Sequence, residues 1–264
     1  MKTAIKLALI YYAFQLAGTF LGSFIGTTYS LLLKGSPEDI KSTTLSLSLL
    51  LGILFTTFYL FKCRYISKEK VTWSPISVIY LILTAVICLA SITLLDFVLS
   101  YMQWLPNILE ETFSTLQAGW LGILCIAILG PILEELLFRG AITKVLLQKY
   151  NPTKAIILSA LIFGIIHINP IQVVSAFLMG LLLGWIYYKT ASLIPCILIH
   201  IINNSLSVYL SLKYPDVETT KELFAGSEYY FIVAGALIIF AVAFLIMNKT
   251  TIKYPWKENN QTIN

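Results

Sequence analysis

Two adjacent carboxylates and an arginine stand inside an otherwise apolar run, Gly130-Pro131-Ile132-Leu133-Glu134-Glu135-Leu136-Leu137-Phe138-Arg139-Gly140. At membrane depth an ionisable side chain costs roughly 2.5 to 3.5 kcal/mol on insertion scales, and such a residue is by default a hypothesis of function. On a helix, Glu135 and Arg139 share a face with the acid N-terminal, the better order for an ion pair. Glu134 lies about 100° away around the helix axis, so one arginine cannot easily satisfy both acids. The simplest division is one structural carboxylate and one left free for chemistry. A buried ion-pair cluster that only fixes helix packing would use the same residues.

The chain has two histidines, His167 and His200, and both fall in apolar segments. A single buried histidine is commonly a core residue with its hydrogen bonds met. Here the whole histidine complement, two glutamates and Asn204 occupy three segments, which points to a common site. Depth supports this. Glu134 lies 17 residues before the turn near Asn151 and His167 lies 16 after it. At a 1.5 Å rise per residue both are roughly 24 to 26 Å from that turn, so antiparallel neighbours would bring them to one level. His200 and Asn204, four apart, face the same side of their helix.

Such groups need helices in a bilayer to hold them. The 264 residues are 58% hydrophobic and 12% charged, with a mean hydropathy of +0.84. Soluble domains carry about 25% charged residues, so the chain reads as integral to a membrane. Its 13% aromatic content suits interfacial belts of Trp and Tyr. The net charge of +5 calls for no nucleic-acid partner, because cytoplasmic loops of membrane proteins are rich in Lys and Arg. Cys63, Cys88, Cys125 and Cys196 show no paired spacing and read as packing residues.

The apolar runs predict an all-α polytopic membrane helical bundle of about eight transmembrane helices. They lie near residues 5–33, 44–61, 75–102, 118–150, 153–168, 171–188, 192–210 and 229–247. The fifth and sixth are short enough for one to be re-entrant, which would leave seven. Gly18, Gly22 and Gly26 put small residues on one face of the first helix, where another can approach closely. Gly180 and Gly184 repeat the pattern in the sixth. Asp96, near the outer end of the third, reads as an interfacial cap or polar contact. Asn151-Pro152 and Asn169-Pro170 are breaks, and 248–264 reads as a loose polar tail. Within one integral domain, 1–117 holds three helices, 118–210 the chemical core, and 211–264 the last helix and tail.

Charge sets an orientation. With the N-terminus inside, the cytoplasmic side collects Lys2, Lys6, Lys62, Arg64, Lys68, Lys70, Lys144, Lys149, Lys154, Lys189, Lys249, Lys253 and Lys257. The other side receives only Lys34, Lys41, Lys213 and Lys221. That bias predicts N-in, C-in in the cell membrane.

Glu134-Glu135-xxx-Arg139, Phe163-xxx-His167 and His200-xxx-Asn204 resemble the three signature motifs of the CPBP intramembrane proteases. That family includes the CAAX prenyl endopeptidases and bacterial bacteriocin-processing or self-immunity (Abi) proteins. Gly140 after Arg139 and the Ser192-xx-Pro195 lead-in to His200 agree with the pattern. The likeness covers roughly residues 118 to 210, and the first three segments match only as generic membrane helices. The resemblance implies an endopeptidase in which Glu134 and His167 bind and activate the attacking water, with Glu134 as general base. His200 and Asn204 would donate to the tetrahedral oxyanion, as polar side chains do in other acyl-transfer sites. Glu135, Arg139 and Phe163 would support them.

The metalloprotease label given to the family implies an alternative, in which Glu134, His167 and His200 hold Zn²⁺ with an open position. The chain has no HExxH helix and asparagine is a poor zinc ligand, so glutamate-activated water without a metal cofactor is the expected chemistry. The expected partners are the lipid bilayer and a peptide or protein substrate, membrane-bound or lipidated. Two readings compete. A non-catalytic scaffold or bacteriocin-immunity protein of the same fold would tolerate degraded motifs, and no motif position is lost here. A transporter or proton relay would need repeats with broken helices, and none is visible.

Overall fold

The computed structural model describes residues 1–33, 36–217, 219–224, 226–250 and 254–256. Among these there are two short 3-10 helices (Lys70–Trp73 and Thr220–Leu223), no strand, and nine longer helices: α1 Lys2–Leu33, α2 Pro37–Lys62, α3 Val78–Leu99, α4 Glu110–Gln117, α5 Trp120–Lys149, α6 Pro152–Ile165, α7 Pro170–Thr190, α8 Ile194–Lys213 and α9 Glu228–Lys249. Local chemistry sets several starts. Ser36 caps α2 by accepting from the Asp39 N–H, with Pro37 in the first turn, and Asn151 caps α6 through the Lys154 N–H ahead of Pro152.

The chain is an all-α integral membrane protein. Seven helices (α1, α2, α3, α5, α7, α8 and α9) are long and apolar enough to span a bilayer. The exception to the eight expected is α6. Its 14 residues rise about 21 Å, short of a hydrocarbon core of roughly 30 Å. It stops early because the chain must leave helical geometry before Pro170. A residue preceding proline is driven out of the α region, and Asn169 has φ −69° and ψ 115°. Ile168 before it is left-handed, with φ 60°. The seven-span alternative is therefore the one that helix length supports. Of the residues used to set orientation, Lys34, Lys253 and Lys257 lie outside the described residues.

Small residues bring α1 and α2 together. Gly18, Gly22 and Gly26 face Gly52, Ser48 and Thr44, and a Cβ on Gly18 would lie 2.5 Å from the Gly52 nitrogen. The glycine face is thus occupied within the chain. Gly180 meets Ala160 and Phe163, and Gly184 meets Ile156, so α6 and α7 approach in the same way. In a bilayer such contacts stabilise by close packing rather than by escape from water.

The centre of the bundle is α5, whose Leu133, Leu136, Leu137, Phe138, Ala141 and Ile142 are each at most 3% exposed. Its course is not uniformly α-helical, since Cys125–Leu129 and Leu136–Thr143 are wound as π-helix. Three of the cysteines are buried and all four are free, as packing residues would be.

Polar contacts close both ends. Asp96 accepts from the Thr220 N–H at 3.1 Å and the Tyr229 hydroxyl at 2.9 Å, the polar contact expected of it. At the opposite ends of these helices, Leu193 N–H bonds to Thr72 O at 2.9 Å, and the Ser192 hydroxyl bonds to Ser74 O. The tail is not loose throughout. Trp256 is buried against Tyr187 and Tyr254 and donates its indole N–H to Tyr188 O at 3.0 Å. Tyr254 donates its hydroxyl to Glu69 at 2.9 Å.

Candidate active site

The residues singled out by type and spacing meet at one carboxylate oxygen. Glu134 Oε2, on α5, lies 3.7 Å from His167 Nε2 and 3.7 Å from His200 Nε2. The common level expected from residue counts is thus realised. His167 falls just past α6, in the turn before Pro170, rather than within a helix. Among the described residues, Glu134 Oε2 is buried and has no hydrogen-bond partner.

Both imidazoles are oriented from behind. His167 Nδ1 lies 2.8 Å from the Phe163 carbonyl, and His200 Nδ1 lies 2.7 Å from Glu135 Oε1. A carbonyl and an ion-paired carboxylate can only accept, so in each ring Nδ1 carries the proton. In the neutral tautomers both Nε2 lone pairs then face Glu134.

Glu135 is the structural acid of the pair. It is fully buried, and its Oε1 also accepts from Arg139 Nη1 at 2.8 Å. Arg139 reaches on to the Gly180 carbonyl at 3.3 Å and lies over the Phe163 ring at 4.6 Å. Phe163 meets His167 and His200 edge-on, at centroid distances of 4.9 and 5.9 Å. One aromatic ring therefore packs against both histidines and the arginine.

Asn204 shares the face of His200, and one N–H and the oxygen of its amide are already engaged. Its Nδ2 donates to the Ile126 carbonyl at 3.0 Å, and its Oδ1 accepts from Asn203 at 3.1 Å. The cause lies in α5. The Gly130 N–H bonds back five residues to Cys125 O, so the next rung of that register would run from residue 131 to Ile126 O. Residue 131 is proline and has no N–H. Asn204 supplies the missing donor from the neighbouring helix, which fixes α8 against α5 one turn from His200.

Sequence reasoning did not find the residues that hold the turn around His167. Tyr12, on α1, donates its hydroxyl to the Ile166 carbonyl at 2.7 Å. Asn169, read only as part of a break, is fully buried and bonds to Asn107 and Ile108. A tyrosine on an apolar helix carries no signal separating it from interface aromatics, so its sequence position could not have marked it.

The donor chemistry of Glu134, His167 and His200 is that of a zinc site. Even so, among the described residues no group of three His, Cys, Asp or Glu side chains closes to metal-holding geometry.

Residues 116–206, which hold Glu134, Glu135, Arg139, Phe163, His167, His200 and Asn204, match the family described as Type II CAAX prenyl endopeptidase Rce1-like. The chain is also 32% identical over 104 residues to the Bacillus subtilis (strain 168) protein named "Putative membrane peptidase YdiL". That similarity spans 39% of this chain and 43% of the relative, so the chain matches less than half of the relative's length. No solved structure matches the chain. The segment that builds the site is therefore similar to the Rce1-like CAAX prenyl endopeptidases.

Proposed function

We propose that the protein is an intramembrane endopeptidase that hydrolyses a peptide bond near or within the bilayer using water activated by Glu134. The observation that supports this most directly is the meeting of two Nδ1-anchored histidines at an unpaired buried carboxylate oxygen. A water there gives one proton to Glu134 Oε2 and directs the other at the His167 Nε2 lone pair, leaving its oxygen free to attack the scissile carbonyl. As the C–O bond forms, Glu134 takes the proton and the carbonyl oxygen becomes an oxyanion.

His200 can donate to that oxyanion through Nε2–H only as an imidazolium, since Nδ1–H is held by Glu135. The carboxylate behind the ring offsets that charge, the role played by the buried acid of a catalytic triad. One amide N–H of Asn204 remains for the same oxygen. Glu134 then passes its proton to the departing nitrogen, the C–N bond breaks, and a carboxylic acid and an amine are released. No step is routed through a metal. The substrate class is a peptide or protein that is membrane-bound or lipidated.

The test compares new peptide termini in membranes of cells carrying wild type, Glu134→Gln and His200→Ala. The expected result is a set of termini seen with wild type alone. Termini that persist in Glu134→Gln would remove Glu134 as the base. Cleavage by purified protein should also survive a zinc chelator, and its loss, restored by Zn²⁺, would replace the water mechanism with a metal one.

A further inference from the structure

We propose that Asn169 and Asn107 form a clamp that positions His167 from the loop between α3 and α4. This rests on the reading of His167 as a water-orienting residue. Asn169 stands at the N-cap of α7, where an asparagine side chain ordinarily accepts from the first turn of its own helix. It makes no such cap. Instead its Nδ2 donates to Asn107 Oδ1 at 2.8 Å, and its Oδ1 accepts from the Ile108 N–H at 3.0 Å. The side chain is 0% exposed, so both of its polar functions are committed to a segment some sixty residues earlier.

What the clamp holds is a strained turn. Ile168, the only residue between His167 and Asn169, has φ 60°, a conformation unfavourable for a β-branched side chain. Across it the Asn169 N–H bonds to His167 O at 2.6 Å, the pattern of the strained, positive-φ γ-turn. Ile168 itself is 61% exposed, so its own side-chain packing does not impose the conformation. Strain of this kind persists only where surrounding contacts over-determine it. The contacts here are the Asn107–Asn169 pair on one side and the Tyr12–Ile166 bond on the other. Because His167 Nδ1 is tied to Phe163 O, the backbone of 166–169 decides where Nε2 stands relative to Glu134. The loop that carries the clamp exposes Tyr101, Trp104 and Ile108, side chains of the kind that anchor at a bilayer interface. The clamp thus references His167 to the membrane surface.

The two asparagines have different requirements. Asn107 only accepts in the pair, so aspartate can replace it, whereas Asn169 must both donate and accept, so aspartate cannot. With two histidines in the chain, ¹⁵N-histidine-labelled protein in lipid nanodiscs gives two sets of ring signals, assigned with His200→Gln. Asn107→Asp should keep the wild-type His167 signals. Asn107→Leu and Asn169→Asp should each shift or broaden them and leave those of His200 in place. If one of these two fails to fold, the other carries the same prediction from the opposite side of the bond.

On a substrate named by the comparison of termini, kcat should fall about tenfold to a hundredfold in Asn107→Leu and Asn169→Asp with KM little changed. Asn107→Asp should stay near wild type. Unchanged His167 signals in both damaging variants, or an Asn107→Asp as impaired as Asn107→Leu, would overturn the clamp. Failure of the protease reading shows separately, as cleavage indifferent to Glu134→Gln, and leaves the ring-signal result standing.

Discussion

Replacing Pro131 by alanine should make the protein tolerant of losing Asn204. Pro131 deprives the Ile126 carbonyl of its intrahelical donor, and Asn204 Nδ2 compensates at 3.0 Å. Leaving a buried carbonyl unsatisfied costs about 1 to 3 kcal/mol. Interhelical hydrogen bonds in bilayers lie lower, averaging about 0.6 and reaching about 1.7 kcal/mol. Asn204→Ala in the wild-type background should therefore cost about 1 to 2 kcal/mol, near the top of the bilayer range because the orphaned carbonyl has no alternative donor on its own helix. In Pro131→Ala the new N–H continues the five-residue register set by Gly130 and reaches Ile126 O. There Asn204→Ala should cost about 0.5 kcal/mol or less, a coupling of about 1 kcal/mol in the double-mutant cycle. Any packing lost with the proline ring cancels in the cycle. The assay is unfolding by SDS in mixed micelles, followed by the fluorescence of the five tryptophans. Equal costs in the two backgrounds, within about 0.3 kcal/mol, would refute the account of why Asn204 points where it does.

Arg139→Met leaves the fully buried Glu135 without its main countercharge and should destabilise by about 3 to 5 kcal/mol. Adding Glu135→Gln should recover more than half of that in the same unfolding assay, because the stranded charge is gone. Gly22→Leu forces a side chain into the Ser48 backbone and should cost at least about 1 to 3 kcal/mol, whereas exposed Phe20→Leu should be near neutral. Tyr12→Phe removes the bond to Ile166 O at about 0.6 to 1.5 kcal/mol. Cleavage by that variant should fall more than its thermal stability does, as measured on one preparation.

The candidate site was legible because charge is costly in lipid. Glu134, Glu135, Arg139 and both histidines are conspicuous in apolar runs, and helical rise alone brought Glu134 and His167 to one depth. The i,i+4 rule assigned Glu135 to Arg139 correctly, which left Glu134 free. The span count was less legible, because the composition of 153–168 does not reveal that the helix stops at Ile165. That end is set by Pro170 acting on Asn169 and by the left-handed Ile168. Tertiary partners were not legible at all. Nothing local tells that Asn169 forgoes its own cap for Asn107, that Tyr12 bonds to Ile166, or that Asn204 bonds to a carbonyl orphaned by a proline on another helix.

The placement of the charge partners along the chain also bears on biosynthesis. Glu135 and Arg139 lie on the same helix at hydrogen-bonding distance, 2.8 Å, so α5 can leave the insertion machinery with that carboxylate already neutralised. Glu134 has no such partner until His167 emerges after the next helix and His200 on the third. Each unpaired charge adds roughly 2.5 to 3.5 kcal/mol to insertion, so the local pair leaves only Glu134 of the three motif charges uncompensated in the nascent segment. The complete site comes into being only when α8 has been made, so under the proposed mechanism a chain still attached to the ribosome before that point is inert.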